Sequence, residues 1–311
     1  MPHANAHEKE HPELLCFVDT TGHGDIPRGL PEGMPRAFGS VVFHGAPSQL
    51  SPSFVEWDII DEVAESTRKP RTEPVEWQLP DTPLRLPDPL PRLSAVHIIT
   101  HRRSAVQLDG VTSITKHQFL CMLDKTLPRR RRPPFDVGLG CPSVHLLLFV
   151  HRVRGLSPGV YFLLRNERDG ASLQEECHAH FLWEHVEGDL PLHILTLGNR
   201  QDEATQVSCG QDIAGDGAFS VGMIARFEDE LSSGAYHYRR LFWETGLIGQ
   251  ALYLEAEAHG VRGTGIGCYF DDPVHDVLGI TTKAYQSLYH FTVGGPVSDS
   301  RLTTLPAYAQ E

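Results

Sequence analysis

Apolar residues recur along this chain with two periods, and their succession sketches its elements. Trp57, Ile60 and Val63 fall at helical spacing and predict a short amphipathic helix, with Ser51 or Ser53 as its N-cap. Ser94–Arg103 (SAVHIITHRR) reads as a second helix, opening a globular region near Ser94. Ile114–Leu127 reads as a third, with Phe119, Leu120, Leu123 and Leu127 on one side and Thr115 as its cap. The continuous apolar run Leu146–Val150 has the pattern of a central strand covered on both faces. Pro158-Gly159 supplies a turn into a second strand, Val160–Leu164, and the two strands predict a hairpin. Phe219–Phe227 is a third apolar strand, Leu241–His259 a long helix, and residues 289–294 a last short strand. Helices interleaved with antiparallel and mixed strands predict an α+β fold.

Between the first helix and the globular region stand Pro70, Pro74, Pro80, Pro83, Pro87, Pro89 and Pro91. Proline removes backbone donors and bars helix, so residues 70–93 read as an extended linker or arm. The expected division is therefore an N-terminal extension over 1–93 and a folded domain over 94–311.

Composition narrows the function. The formal net charge of −13 disfavours nonspecific nucleic-acid binding, which needs a basic surface to displace counterions. The one basic run, Arg129–Arg132, reads as a solvated loop. No apolar run approaches the ~18 residues of a membrane span, and the polar N-terminus has no signal-peptide core, so a cytoplasmic protein is expected. The six cysteines, Cys16, Cys121, Cys141, Cys177, Cys209 and Cys268, form no CxxC pair and read as free thiols. Cys177, His178 and His180, with His185 nearby, lack a convincing third ligand on one strand face, so no metal is expected.

Three short segments suit binding chemistry. Arg102-Arg103-Ser104 follows a helix and precedes the turn Leu108-Asp109-Gly110; two forked guanidinium groups and a hydroxyl match phosphate oxygens. Gly263-Thr-Gly-Ile-Gly267 contains GxGxG, but the helix precedes it, so a Rossmann reading fails. It reads instead as a turn whose bare backbone lies against a planar ligand. Arg301, beyond Gly294-Gly295, is a second candidate anionic anchor.

Taken in order, these motifs resemble the nitroreductase superfamily over residues 94–308, and within it the SagB-type or thiazoline/oxazoline dehydrogenase branch. The resemblance is carried by Arg102-Arg103-Ser104, by Val153-Arg-Gly-Leu-Ser-Pro-Gly-Val-Tyr161, and by Cys209-Gly210-Gln211. It continues through Tyr238-Arg239, Glu244, Gly246, Gln250 and Tyr253-Leu254-Glu255-Ala256, then Gly265-Ile266-Gly267 and the closing Val-Gly strand. It implies a nitroreductase-like mixed central sheet flanked by helices, with an extended N-terminal arm. It also implies FMN at the interface of a homodimer. By that likeness Arg102, Arg103 and Ser104 hold phosphate and ribityl oxygens, Gly265, Ile266 and Gly267 lie near the flavin edge carrying N5, and Arg301 reaches the phosphate. The chain departs from the pattern at Val106, where relatives carry a basic residue, and over Pro134–Ser143, where they carry a Ser/Gly/Asn-rich loop. Residues 43–70 look like the join of a tandem member, so the chain resembles its C-terminal half.

The function implied is an FMN-dependent oxidoreductase passing hydride between flavin and a small-molecule or peptide substrate, with NAD(P)H as a candidate reductant. Tyr238, Tyr269, His237 and Cys268 are candidate acid/base or substrate-facing groups, because each can donate a proton. The alternative is a non-catalytic scaffold or partner subunit on the same fold.

Overall fold

The computed structural model describes residues 55–72, 79, 93–130 and 132–306. The candidate caps Ser51 and Ser53, and most of the proline-rich arm, lie outside the described residues. Contacts divide the chain into Met1–Pro74 and Val75–Glu311.

In the first unit, helix α1 (Asp58–Ser66) forms where the apolar spacing predicts it, with Trp57 as its N-cap residue. Trp57 and Ile60 are exposed, and Val63 is half-buried.

In the second unit the elements follow in this order. Helix α2 (Ala95–His101), strand β1 (Ile114–Thr115) and helix α3 (Lys116–Asp124) lead to β2 (Val144–Val150), β3 (Val153–Arg154) and β4 (Gly159–Leu163). Helix α4 (Gly170–Glu176), β5 (Glu184–His185), β6 (Leu192–Leu197), α5 (Gln201–Val207) and α6 (Asp212–Asp216) come next. The unit closes with β7 (Phe219–Arg226), α7 (Glu228–Ser232), α8 (His237–Ala258), β8 (Arg262–Ile266), α9 (Asp271–Leu278) and β9 (Tyr285–Gly294). A seven-stranded sheet has the order β5-β6-β4-β2-β7-β9-β8, with every neighbouring pair antiparallel. Among the described residues parallel pairing is confined to the separate pair β1-β3.

Strand β2 holds the middle of the sheet and all seven of its residues are buried, as its uninterrupted apolar run demands. Alternate residues feed two cores. On one face Leu146, Leu148, Val150, Tyr161, Val221 and Phe291 pack with α3 and α8. On the other, Leu147, Phe149, Val160 and Phe162 pack with α4, α5, α6 and α9. This helix–sheet–helix layering is the α+β architecture expected from the sequence. Local signals set the ends of α2 and α3. Ser94 Oγ accepts from the His97 amide, and Thr115 and Gln118 form a reciprocal capping box.

One buried ion pair ties α8 to the sheet. Glu244 pairs with Arg165, which follows β4 and also donates to the carbonyls of Val144 (2.7 Å) and Thr126 (2.8 Å). Glu244 further accepts from the Ser143 amide at 3.0 Å. The motif residue Glu244 therefore has a structural role, as the counter-ion of a buried guanidinium.

Candidate functional site

At the sheet edge strand β8 the glycine segment and Arg102-Arg103-Ser104 come together. The segment read as a turn, Gly263–Gly267, is largely strand: Gly263 opposes Val293, Gly265 opposes Phe291 and Ile266 opposes His290 on β9. Cross-strand aromatic rings explain the glycines. A Cβ at Gly263 would lie 2.6 Å from the Phe291 ring, and one at Gly265 would overlap the Tyr289 hydroxyl and lie 3.0 Å from a ring carbon. Bulky rings on β9 thus leave no room for side chains on this face of β8. Ile266 points to the opposite core and is buried; Gly267 is exposed, and a Cβ there would meet only Tyr289, at 3.9 Å.

The chain after α2 runs alongside this strand. The Ala105 amide donates to Gly263 O at 3.0 Å, the Asp109 amide to Gly295 O at 2.9 Å, and the Val297 amide to Gln107 O at 3.0 Å. The turn at Leu108-Asp109-Gly110 forms as expected: Gly110 has φ +68°, and the Asp109 carboxylate accepts from the Val111 and Thr112 amides. These bonds set Arg102-Arg103-Ser104 beside Gly263–Gly265.

Tyr253 of α8 joins the two segments. Its hydroxyl oxygen accepts from the Gly265 amide at 2.8 Å and lies 2.9 Å from Ser104 Oγ. Because the phenol accepts from the amide, its own proton is free to go to Ser104. The Arg102 guanidinium lies over the Tyr253 ring, 4.9 Å from its centroid, and the ring packs edge-on against Phe291 at 4.7 Å. Arg103 donates to the carbonyls of Thr100 (3.0 Å), Arg102 (2.8 Å) and Leu305 (3.1 Å). Both arginines are half-buried, and among the described residues neither has a carboxylate partner. Two unneutralised guanidiniums beside an exposed hydroxyl form a donor set matched to a phosphate-class anion. Val106, by contrast, turns its side chain to solvent.

Among the described residues no hydrogen bond joins Arg301 to Arg102, Arg103 or Ser104. Arg301 is exposed and chelated by its own neighbour, with Nε 2.9 Å and Nη2 2.7 Å from the Asp299 carboxylate. The candidate acid/base residues are also engaged. Tyr269 donates to Leu288 O at 2.8 Å and its phenol is pushed up to about 12, first by burial and then by the Asp271 charge. Tyr238 packs against Phe227 and Phe242, and His237 lies 3.4 Å from Glu230.

The expectation of free thiols throughout is corrected at one pair. Cys209 and Cys268 form a disulfide, with Cα atoms 5.7 Å apart, across 59 residues of sequence. No local pattern marks such a pairing. The segment after Cys177 is likewise not the alternating strand read from the sequence. Cys177 ends α4, and His178 and His180 stack with ring centroids 4.8 Å apart. Among the described residues no group of three or more His, Cys, Asp or Glu is placed to hold a metal ion. Nor is any described helix long and apolar enough to cross a membrane.

Tyr253, which links the site, is marked in the sequence only by the helix pattern Tyr253-Leu254-Glu255-Ala256. Its spacing of 12 residues from Gly265, across the end of α8, was the available signal.

No curated protein matches the chain. Among solved structures, one of Anabaena variabilis described as a nitroreductase is 23% identical, with TM-score 0.49, over 63% of this chain and 37% of that one. This chain thus spans little more than a third of that protein's length. The Escherichia coli microcin synthetase McbBCD complex, solved with truncated pro-MccB17 bound, contains a chain 17% identical, with TM-score 0.48, over 85% of this chain and 87% of that one. The model of the nitroreductase family matches residues 184–295, from β5 through the end of β9, a segment that includes Gly265–Gly267 but neither Arg102–Ser104 nor Arg301.

Proposed function

We propose that the chain is an FMN-dependent oxidoreductase whose anion-binding corner is Arg102-Arg103-Ser104 and whose flavin-facing backbone is the end of β8. The observation that carries this reading is the Tyr253 hydroxyl, which fastens Ser104 and the Gly265 amide to one atom. It makes the arginine segment and the glycine strand a single surface. The donor set fits the phosphate of FMN: two guanidiniums without carboxylate partners among the described residues, and an exposed hydroxyl. When bound, FMN supplies two-electron hydride chemistry at N5. The chain's own groups bind and orient. Arg102 offers a forked donor to phosphate oxygens, Arg103 adds its charge and the donors its three carbonyl contacts leave, Ser104 adds a hydroxyl, and the Tyr253 ring holds Arg102 in place. Gly267, open on its outer side, is the backbone placed to approach a flat ring, since the Gly265 amide is already taken. In this proposal the protein works as a homodimer with the flavin at the interface, NAD(P)H is the reductant, and residues 1–93 are an extension of the domain. Membership of the SagB-type branch would make a peptide azoline the substrate, oxidised to the azole.

Two observations favour a second reading, a non-catalytic partner subunit on the same fold. Val106 stands exposed where a third basic residue is expected, and Arg301 is spent on Asp299. An absorbance titration with FMN separates the readings. Saturable binding that weakens tenfold or more in Arg102→Ala and in Arg103→Ala is expected, because a charge-assisted hydrogen bond contributes about 1.5–3 kcal/mol. No binding to the intact chain, or binding by both variants as tight as that of the intact chain, sinks the flavin assignment.

A further inference from the structure

We infer that Cys209 and Cys268 form a reversible thiol–disulfide exchange site that opens and closes in the folded protein by reaction with an external low-molecular-weight thiol. Cys209 lies in the connection between α5 and α6, and Cys268 lies two residues beyond β8. Their Cα separation of 5.7 Å is that of an ordinary disulfide.

Access comes first. Cys268 is exposed and Cys209 half-buried, so Cys268 is the residue of the pair that an attacking thiolate from solvent meets first. Cys121 and Cys177 are buried, and the Cys177 thiol is pushed up to about 12 by burial, which keeps it protonated and unreactive near neutral pH.

The two cysteines are also held together by contacts that do not involve sulfur. The Phe270 amide donates to Val207 O at 2.9 Å, and Gln211 Nε2 donates to Cys268 O at 3.0 Å. The buried His290 ring holds both flanks. Ser208, one residue before Cys209, lies 3.0 Å from its Nδ1; Tyr269, one residue after Cys268, stacks on it at 4.8 Å. Breaking the S–S bond therefore leaves the dithiol in register for closure, at an effective concentration set by these anchors. Cys209 itself sits at φ +62°, a left-handed conformation that a non-glycine residue holds only under the grip of its surroundings.

The chemistry balances with the thiol as the reductant. A thiolate RS⁻ attacks Cys268 Sγ, the Cys209–Cys268 bond breaks, and Cys209 leaves as thiolate and takes a proton from water. A second RS⁻ attacks the sulfur of the bound R group, releasing RSSR and the Cys268 thiolate. Two electrons pass from two thiols to the protein disulfide, and the reverse sequence closes it. The site is one residue beyond Gly267, yet the inference stands without any cofactor.

The test uses the intact chain with no cofactor added. The protein is equilibrated in graded mixtures of reduced and oxidised glutathione without denaturant, then alkylated, and the label is located by peptide mass. Cys209 and Cys268 are expected to gain label together as the mixture turns reducing and to lose it when it is reversed. In Cys209→Ser, Cys268 is expected to carry one glutathione; Cys268→Ser is the companion variant, and the wild-type arms decide alone if neither folds. Labelling of the pair only after unfolding would overturn the proposal, as would two thiols that never pair in oxidised glutathione.

Discussion

His290 offers the sharpest quantitative test of the packing around β9. The ring is buried, and burial holds its pKa down to about 4 from an ordinary 6.5. Its neighbours are Ser208 Oγ at 3.0 Å, Ser287 Oγ at 3.2 Å and the stacked Tyr269 ring. None of them carries a charge that stabilises imidazolium. The unfolded chain therefore takes up a proton at this residue before the folded chain does. Stability from the neutral ring is complete above about pH 6.5 and is lost as pH falls toward about 4. From these two values the loss between about pH 7 and about pH 5 is about 2 kcal/mol. Urea unfolding of the oxidised protein at both pH values, repeated on His290→Phe, isolates the contribution. The variant keeps a ring against Tyr269 and lacks the titration, so its drop should be smaller than the wild-type drop by about 2 kcal/mol. Its stability near neutral pH should also be lower, because two buried hydroxyls lose their partner. An NMR titration of the wild-type imidazole checks the same point without a variant. Equal drops in both proteins, or a ring that titrates near 6.5, would refute the reasoning.

Other perturbations probe the remaining contacts. Gly265→Ala drives a methyl into Tyr289 and should cost about 1–3 kcal/mol in urea unfolding; Tyr289→Leu in the same chain should recover most of it, and no recovery would show that the ring is not the obstacle. Glu244→Gln leaves the buried Arg165 guanidinium without its counter-charge and should cost about 3–5 kcal/mol, whereas a loss below about 1 would mean water reaches the pair. Tyr253→Phe keeps the ring under Arg102 but removes the acceptor of the Gly265 amide. A stability loss of about 1 kcal/mol with accelerated amide exchange at Gly265 is expected, and unchanged exchange would contradict the bond.

Much of the scaffold was legible because its signals are local. The apolar run Leu146–Val150 became the central strand because no polar residue in it claims a solvated face. Thr115 was readable as a cap, and Gln118 completes the box three residues later. The long helix begins at His237 rather than Leu241: its first turn is polar, and Tyr236 offers no capping bond to mark the start. Strand β8 was misread because glycine speaks for turns. Its backbone pairs with β9, and the rings at Tyr289 and Phe291, more than 20 residues downstream, account for the glycines. The Arg165–Glu244 pair and the Cys209–Cys268 bond were invisible for the same reason, since each joins residues whose separation only the folded sheet closes.

The site has the same character. Arg102-Arg103-Ser104 and the glycines are separated by about 160 residues, and each segment alone has an ordinary structural use. Tyr253 changes that, because a phenol can accept from one strand and donate to the other chain segment while its face carries a cation. Among the described residues neither arginine has a carboxylate partner, in a chain with a net charge of −13. Arg301 differs in pairing with the nearest aspartate, and this contrast supports the proposed role of Arg102 and Arg103 as the first anion-binding groups to test.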